Sequence, residues 1–326
     1  MAGQAGVALV FPGQGSQQPG MALAWRGHPS AARWDEAGEV LGLDVARLGT
    51  EADADELREP ANCQIALFVH HAVLLEAWRA AGGGEAVAVA GHSLGEYDAL
   101  LAAGVLEFAD ALRLVAVRAR VTQEAAVANP GSMVACLGFP EGVVAQACAE
   151  SGAHVANDNA PGQVVVAGSA AALATLRERL ERPTEPGGRA AGRVRDLNVG
   201  AAYHSPSMAP AVAPLGAALD AAAFRTARVA VVANVDARAH TDAGEWPDLL
   251  RRQVVAPVRW RETVGTLAQL GAHEVAELGA SPVLTNLTKR IAPDLARRTL
   301  DTPRQPARCE YCQQAGDGDT ESRRPF

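Results

Sequence analysis

Two periodicities alternate along this 326-residue chain, and the switches between them mark most of its elements. VALVF (7 to 11) is an unbroken apolar run ending in the turn-rich FPGQGSQQPG, which predicts a buried strand feeding a loop. From Ile65 to Ala80 apolar residues recur at helical spacing, and a run of three glycines ends the pattern. AVAVA (86 to 90) then predicts a strand, Ser93 sits in the turn behind it, and a helix follows through about Ala103. A longer amphipathic helix is expected over 106–126, opening on an acidic turn and closing before the Asn-Pro-Gly breaker at 129–131.

Beyond residue 130 the pattern changes. SMVACLGF predicts a strand, EGVVAQACAES a helix, HVANDNAPGQVVVAG two strands about an Asn/Pro/Gly turn, AAALATLRERLE a helix and RVRDLNVG a last strand. This βαββαβ order is that of a ferredoxin-like unit, so a small subdomain is expected at 130–198, inserted into a main subdomain made of 1–129 and 199–300. The main part resumes with a helical segment over 202–222, a strand in RVAVVANV, further helices, a strand in HEVAELG and a short helix over TNLTKRI. Strands alternating with helices predict an α/β fold whose mainly parallel sheet is covered on both faces. Residues 301–326 are polar and aperiodic, which predicts a disordered tail.

Composition narrows the function. A formal charge of −8 argues against a nucleic-acid binder, which would need a net basic surface. No run approaches the roughly 20 apolar residues that cross a bilayer, and the opening residues lack a secretory signal, so a soluble cytoplasmic protein without a membrane partner is expected. Of five cysteines, Cys63, Cys136 and Cys148 lie in apolar contexts that suit buried thiols. Cys309 and Cys312 form a lone CxxC without a second pair or clustered histidines; no complete zinc site is expected, and a half-site shared between chains stays open.

GHSLGEY (91 to 97) carries the first chemistry. Gly-x-Ser-x-Gly between a strand and a helix reads as a nucleophile elbow, with Ser93 as the nucleophile and the Leu94 N–H, at the helix start, as an oxyanion donor. A serine hydroxyl needs a base. Of eight histidines His204 stands out, because AAYHSPSMAP places it between a predicted strand and a helix opening. His70 and His71 fall inside an apolar helix, and His28, His240 and His273 lie in loop-like or strand-edge surroundings. His92 reads as a brace for the elbow through hydrogen bonding. No Asp or Glu follows in the Ser, acid, His order with a distinctive setting, so the third member need not be a carboxylate. In FPGQGSQ a dinucleotide fingerprint would need glycine where Gln18 stands, and the loop is better read as lending a backbone N–H to an oxyanion.

Taken together, FPGQGSQ (11 to 17), GHSLGEYDALLAAG (91 to 104), VRARVTQEA (117 to 125), VANDNAPGQVVVAG (155 to 168), AYHSPSM (202 to 208), QVVAPVRW (253 to 260) and ELGASPVLTNLTKRI (277 to 291) resemble the malonyl-CoA:acyl carrier protein transacylases and the related acyltransferase domains of polyketide synthases. The match runs in order from about residue 7 to residue 292. It implies an α/β-hydrolase-like main subdomain with a ferredoxin-like insert, and a transfer from malonyl-CoA to an acyl carrier protein without a cofactor or metal. It also implies roles: Ser93 attacks the thioester, His204 is the base, and the N–H groups of Gln14 and Leu94 hold the oxyanion. The backbone carbonyl of Gln253 orients the histidine, Arg118 grips the malonyl carboxylate, and Gln64 and Asn157 line the site. Arg120 reads as a solvated neighbour.

Three departures bear on selectivity. Leu94 resembles malonyl-type enzymes, whereas Tyr203 replaces the phenylalanine common in malonyl-specific members, and ELGASPVL replaces the usual glycine-proline-glycine turn. Malonyl is the expected acyl group, with a substituted malonyl left open. The alternatives are a serine thioesterase or esterase that transfers to water, the transacylase subunit of a malonate decarboxylase, and a non-catalytic docking subunit of a synthase.

Overall fold

The computed structural model describes residues 6–182 and 191–303. The first apolar run forms β1 (Gly6–Phe11), buried along its whole length. After it come α1 (Ala32–Leu41) and α2 (Val45–Thr50), which the apolar pattern does not mark, then the long buried α3 (Pro60–Ala80). Next are β2 (Ala88–Gly91), α4 (Gly95–Ala103) and α5 (Phe108–Ala128).

A second unit follows: β3 (Ser132–Leu137), α6 (Val143–Ser151), β4 (His154–Ala160), β5 (Gln163–Gly168), α7 (Ala170–Glu181) and β6 (Arg193–Asp196). Its four strands pair antiparallel in the order β4-β5-β3-β6, the ferredoxin-like arrangement. Val134, Cys136, Val166 and Val194 face α6 and α7 and close a small core there, while Met133 and Val165 face the other way. Alternation along each strand therefore gives this sheet one face for its own helices and one for the rest of the molecule.

The chain returns through α8 (Ala209–Ala221), β7 (Ala230–Val232), β8 (Ala239–His240), α9 (Trp246–Val255), α10 (Trp260–Gln269), β9 (Ala272–Leu278), α11 (Val283–Ile291) and β10 (Ala296–Leu300). The main sheet has the order β10-β9-β1-β2-β7-β8 and is parallel except for β8. Val7, Leu9 and Phe11 pack with residues of α3, α4, α5 and α8, whereas Ala8 and Val10 pack with Trp260, Val264 and Leu267 of α10 and Leu284 and Leu287 of α11. Both faces are covered, as a parallel sheet requires.

Besides α1 and α2, three details differ from the sequence reading: the segment expected to be helical over 202–222 becomes α-helical only at Ala209, which leaves His204 in the turn before it, and two strands depart as well. The strand expected over RVAVVANV stops at Val232, because the Asn234 N–H leaves the ladder to bond the Glu96 carboxylate. The strand β10 carries Arg297 and Arg298 in a polar stretch, so no apolar period announces it; its register is set by parallel pairing with β9. Cys63, Cys136 and Cys148 are buried free thiols. The first residue of the expected tail is packed: Trp25 Nε1 donates to the Asp301 carbonyl at 3.1 Å. The rest of that tail from residue 304, with Cys309 and Cys312, lies outside the described residues.

The two units are stitched by backbone as well as side chains. Asp158 N–H donates to the Val258 carbonyl and Val258 N–H to the Ala156 carbonyl, each at 2.9 Å. Arg261 of α10 adds ion pairs to Asp158 at 2.9 Å and to Glu141 at 3.0 Å. Between the units lies the cleft that holds the site.

Candidate active site

The turn from β2 into α4 leaves no room for side chains at its two glycines. A Cβ on Gly91 would fall 1.8 Å from the Gly95 backbone, and one on Gly95 would fall 2.1 Å from the Phe11 carbonyl oxygen. Ser93 between them has φ of 56°, a left-handed conformation that costs a non-glycine residue energy and that the surrounding contacts must hold in place. The result is a hydroxyl lifted above the end of the sheet. Asn234, wholly buried, receives the Ser93 N–H on Oδ1 and donates from Nδ2 to the Gly91 carbonyl, both at 2.7 Å.

His204 meets this hydroxyl: Nε2 is 2.7 Å from Ser93 Oγ. The histidine also has positive φ, 54°. Its Nδ1 is 2.8 Å from the Gln253 backbone carbonyl, which can only accept, so Nδ1 carries the proton and Nε2 is left as the acceptor for the serine proton. Burial, and then the nearby Arg118 charge, push the imidazole down to about 3, so it is neutral at ordinary pH. Serine, histidine and an orienting acceptor are therefore present, and the acceptor is an amide carbonyl.

Arg118, 6 % exposed on α5, points into the same spot. Nη1 donates to Gln64 Oε1 at 2.5 Å, and Nη2 donates to Ser93 Oγ at 3.0 Å and to Gln253 Oε1 at 3.2 Å. Burial lowers its pKa against the pull of Glu96 nearby, and among the described residues it forms no ion pair. Gln64 thus stands behind the guanidinium and fixes it from α3; it is not among the residues that line the cleft. Arg120 lies exposed and pairs with Glu124, one helical turn on.

The cleft encloses ≈ 730 Å³, ample for a small-molecule substrate. Gln14, Ser93, Leu94, Arg118, Tyr203 and His204 line it from the main unit, and Met133, Asn157 and Val165 from the inserted one. Among the described residues the N–H groups of Gln14 and Leu94 have no acceptor in the protein. Both are free to bond a charge that develops beside Ser93. His92 Nε2 bonds Asn159 Oδ1 of β4 at 2.8 Å, and its ring tilts against Trp260 at 5.5 Å, so it ties the elbow to the inserted unit. The Tyr203 hydroxyl is pushed up to about 12 by burial and stays a neutral phenol in the cleft wall.

The altered turn at Ser281 and Pro282 has its own support. Glu277 at the end of β9 accepts from the N–H groups of Val283, Leu284 and Thr285 at 2.8 to 3.0 Å, which satisfies the start of α11 where it borders the cleft. Among the described residues no cluster of His, Cys, Asp or Glu is placed to hold a metal ion, and no helix is long and apolar enough to cross a membrane.

Ser93, His204, Arg118, Gln14, Leu94, Asn157, Gln253 and Gln64 all converge on one place, the last two from behind the wall. Two residues of the same constellation escape sequence reasoning. Asn234 follows a strand whose apolar run draws attention elsewhere, and Glu96, 1 % exposed, reads as an ordinary helix carboxylate. Glu96 Oε1 accepts from the Asn234 N–H at 2.7 Å and Oε2 from Gln253 Nε2 at 2.6 Å; burial raises its carboxyl to about 7. The signal available was its place three residues after the nucleophile, on the helix that turns into the core.

Comparison with known proteins gives a consistent answer. Residues 8–300 match the family model described as acyl transferase domain. The malonyl CoA-acyl carrier protein transacylase of Salmonella typhimurium is 39 % identical over 302 residues, covering 91 % of this chain and 96 % of that protein. The crystal structure of a malonyl-CoA:acyl carrier protein transacylase from Xanthomonas oryzae pv. oryzae superposes with a TM-score of 0.86 at 38 % identity, covering 92 % and 96 % of the two chains. A malonyl-transacylase solved in complex with its type II polyketide synthase acyl-carrier protein is similar with a TM-score of 0.85 at 34 % identity, covering 91 % and 96 % of the two chains.

Proposed function

This chain belongs to the acyl transferase family, and from that membership we propose that it moves a malonyl group from coenzyme A, through an ester on Ser93, to the phosphopantetheine thiol of an acyl carrier protein. The observation that carries the acyl choice is the Arg118 guanidinium held 3.0 Å from Ser93 Oγ inside a buried cleft. A fixed planar cation beside the nucleophile favours an acyl group that ends in a carboxylate, because it can donate two parallel hydrogen bonds to it.

The steps follow from the geometry. The Ser93 proton moves to His204 Nε2 as Oγ bonds the thioester carbon, and the negative charge on the carbonyl oxygen is met by the Gln14 and Leu94 N–H groups. The carbon–sulfur bond then breaks and His204 returns its proton to the departing coenzyme A sulfur. In the second half the carrier thiol gives its proton to His204, its sulfur bonds the acyl carbon, and Ser93 leaves with the proton restored. Asn157 and Tyr203 bound the space around the acyl group. This reading carries a cytoplasmic place in fatty-acid or polyketide assembly, with coenzyme A and the carrier as partners and no nucleic acid.

Intact-protein mass spectrometry tests it. Mixing with a panel of acyl-CoA esters is expected to add one malonyl group to the wild type and none to Ser93→Ala. Addition of a holo carrier protein is then expected to move that mass to the carrier. Free malonate as the main product would replace the reading by a thioesterase, and no adduct at all would replace it by a docking subunit.

A further inference from the structure

Two buried residues, Asn234 and Gln253, hold the reacting groups from behind, and both are tied to one carboxylate. Asn234 holds the Ser93 N–H and the Gly91 carbonyl. Gln253 holds the Ser93 carbonyl with Nε2 at 2.8 Å, Arg118 with Oε1, and His204 with its backbone oxygen. Glu96 accepts from the Asn234 N–H on one oxygen and from Gln253 Nε2 on the other. Asn234 and Gln253 are wholly buried, so no solvent competes for these bonds.

We propose that Glu96 is the positioning residue of this site: its ionised carboxylate orients Asn234 and Gln253, and through them aligns Ser93, His204 and Arg118. The inference rests on the catalytic reading above and adds to it an acid that does not stand in the Ser, acid, His order. Glu96 touches neither substrate nor the reacting atoms. Its partners are both donors, and only a carboxylate can accept from both without presenting a hydrogen of its own. The amide of Gln253 has no freedom to compensate. If it turned over to suit a donor at position 96, its NH₂ group would face Arg118 and the mismatch would pass to the guanidinium.

Ionisation gives the proposal a readable sign. The charged groups around Glu96 are Arg118 from α5, which favours the carboxylate, and Asp236 beyond β7, which disfavours it; the titratable Tyr97 adjoins on α4 and His204 lies across Gln253. Burial raises Glu96 to about 7, whereas His204 is pushed down to about 3. Below neutral pH the protonated acid turns one acceptor into a donor, and one of the two bonds is lost. Acylation is therefore expected to fall as pH drops through about 7, at a midpoint set by Glu96 and not by the catalytic histidine.

The test is the pH profile of kcat/KM for malonyl-enzyme formation in wild type, Glu96→Gln and Gln253→Met. Glu96→Gln is expected to lose roughly 10- to 100-fold, the effect of one buried donor left unpaired. Its loss should include a raised KM, because Arg118 is disturbed, and its acid limb near neutrality should disappear. Gln253→Met keeps the backbone oxygen behind His204 but removes a donor from the carboxylate, so the limb should move to higher pH. That second variant decides the matter if Glu96→Gln does not fold. A Glu96→Gln enzyme within twofold of wild type, or a limb with the same midpoint in either variant, would overturn the proposal. A wild type that forms no malonyl adduct would instead sink the catalytic reading.

Discussion

Arg118 Nη2 and Ser93 Oγ are 3.0 Å apart, so the cation that would recognise the acyl group also holds the resting nucleophile. In the proposed reaction an arriving carboxylate draws the guanidinium toward itself and frees the serine oxygen. An acyl group without a carboxylate leaves that bond in place, with a lone pair of the nucleophile engaged.

Removing the guanidinium should therefore change selectivity in both directions. Arg118→Ala is expected to lose roughly 100- to 1,000-fold in kcat/KM for malonyl-CoA, as the loss of one partner of a buried ion pair predicts. Its rate with acetyl-CoA should be unchanged or higher. Competition between the two esters, read by adduct mass, checks this; a variant that still prefers malonyl contradicts the role of Arg118.

The elbow glycines should be intolerant. Gly95→Ala puts a methyl group 2.1 Å from a backbone oxygen of β1, where neither partner is a flexible side chain. Destabilisation of about 3 kcal/mol or more is expected, visible in a chemical-denaturation midpoint. A midpoint equal to wild type would mean the turn has another conformation.

Acid should weaken the fold through its buried histidines. His70, His71 and His204 are each pushed down to about 3 by burial. Below their ordinary value of about 6.5 the unfolded chain takes up protons that the folded chain refuses, so the histidines' contribution to stability falls as pH drops from about 6.5 toward 3, against the opposite contribution of the raised Glu96 carboxyl. The slope is roughly 1.4 kcal/mol per pH unit for each histidine. Among the described residues both ring nitrogens of His70 lack a partner, so His70→Leu should be neutral or stabilising at pH 7 and should flatten this acid limb. Thermal melts across that range measure it, and an equally steep limb in the variant would disprove it.

The ion pairs of Arg261 should matter little. The Asp158 and Glu141 contacts are partly solvated, and the backbone bonds through Val258 remain without them. Arg261→Ala is expected to cost about 1 kcal/mol or less and to leave malonyl-enzyme formation within about threefold of wild type. A collapse of activity would show that the two units are held by charge.

The residues that sequence reasoning located share a property: each lies in a short motif whose spacing has a mechanical reason. Gly91, Ser93 and Gly95 are dictated by a turn, and Arg118 and His204 became legible once other segments fixed their context. The two α/β patterns were readable because burial imposes a period on strands and helices alike. The strand β10 was not, since an edge strand with arginines on it owes its place to the backbone of β9. Asn234 and Glu96 escaped for a related reason. Their partners are 138 to 157 residues away in the chain, and such distant pairings leave no trace in local pattern. No carboxylate after the serine touches the histidine among the described residues. Glu96 is three residues on and reaches it only through Gln253.

The amide oxygen behind His204 has a chemical cost and a use. A carboxylate there would share the positive charge of the protonated ring; a neutral carbonyl does not, and Arg118 beside it makes a second cation less welcome still. Such a base takes a proton from a hydroxyl, whether of Ser93 or of water, only as the oxygen bonds the acyl carbon, whereas a thiol near 8.5 asks far less of it. In the proposed reaction the acidity of the acceptor therefore favours a thiol over water, and an ester on Ser93 is expected to outlast its exposure to solvent until such a partner arrives.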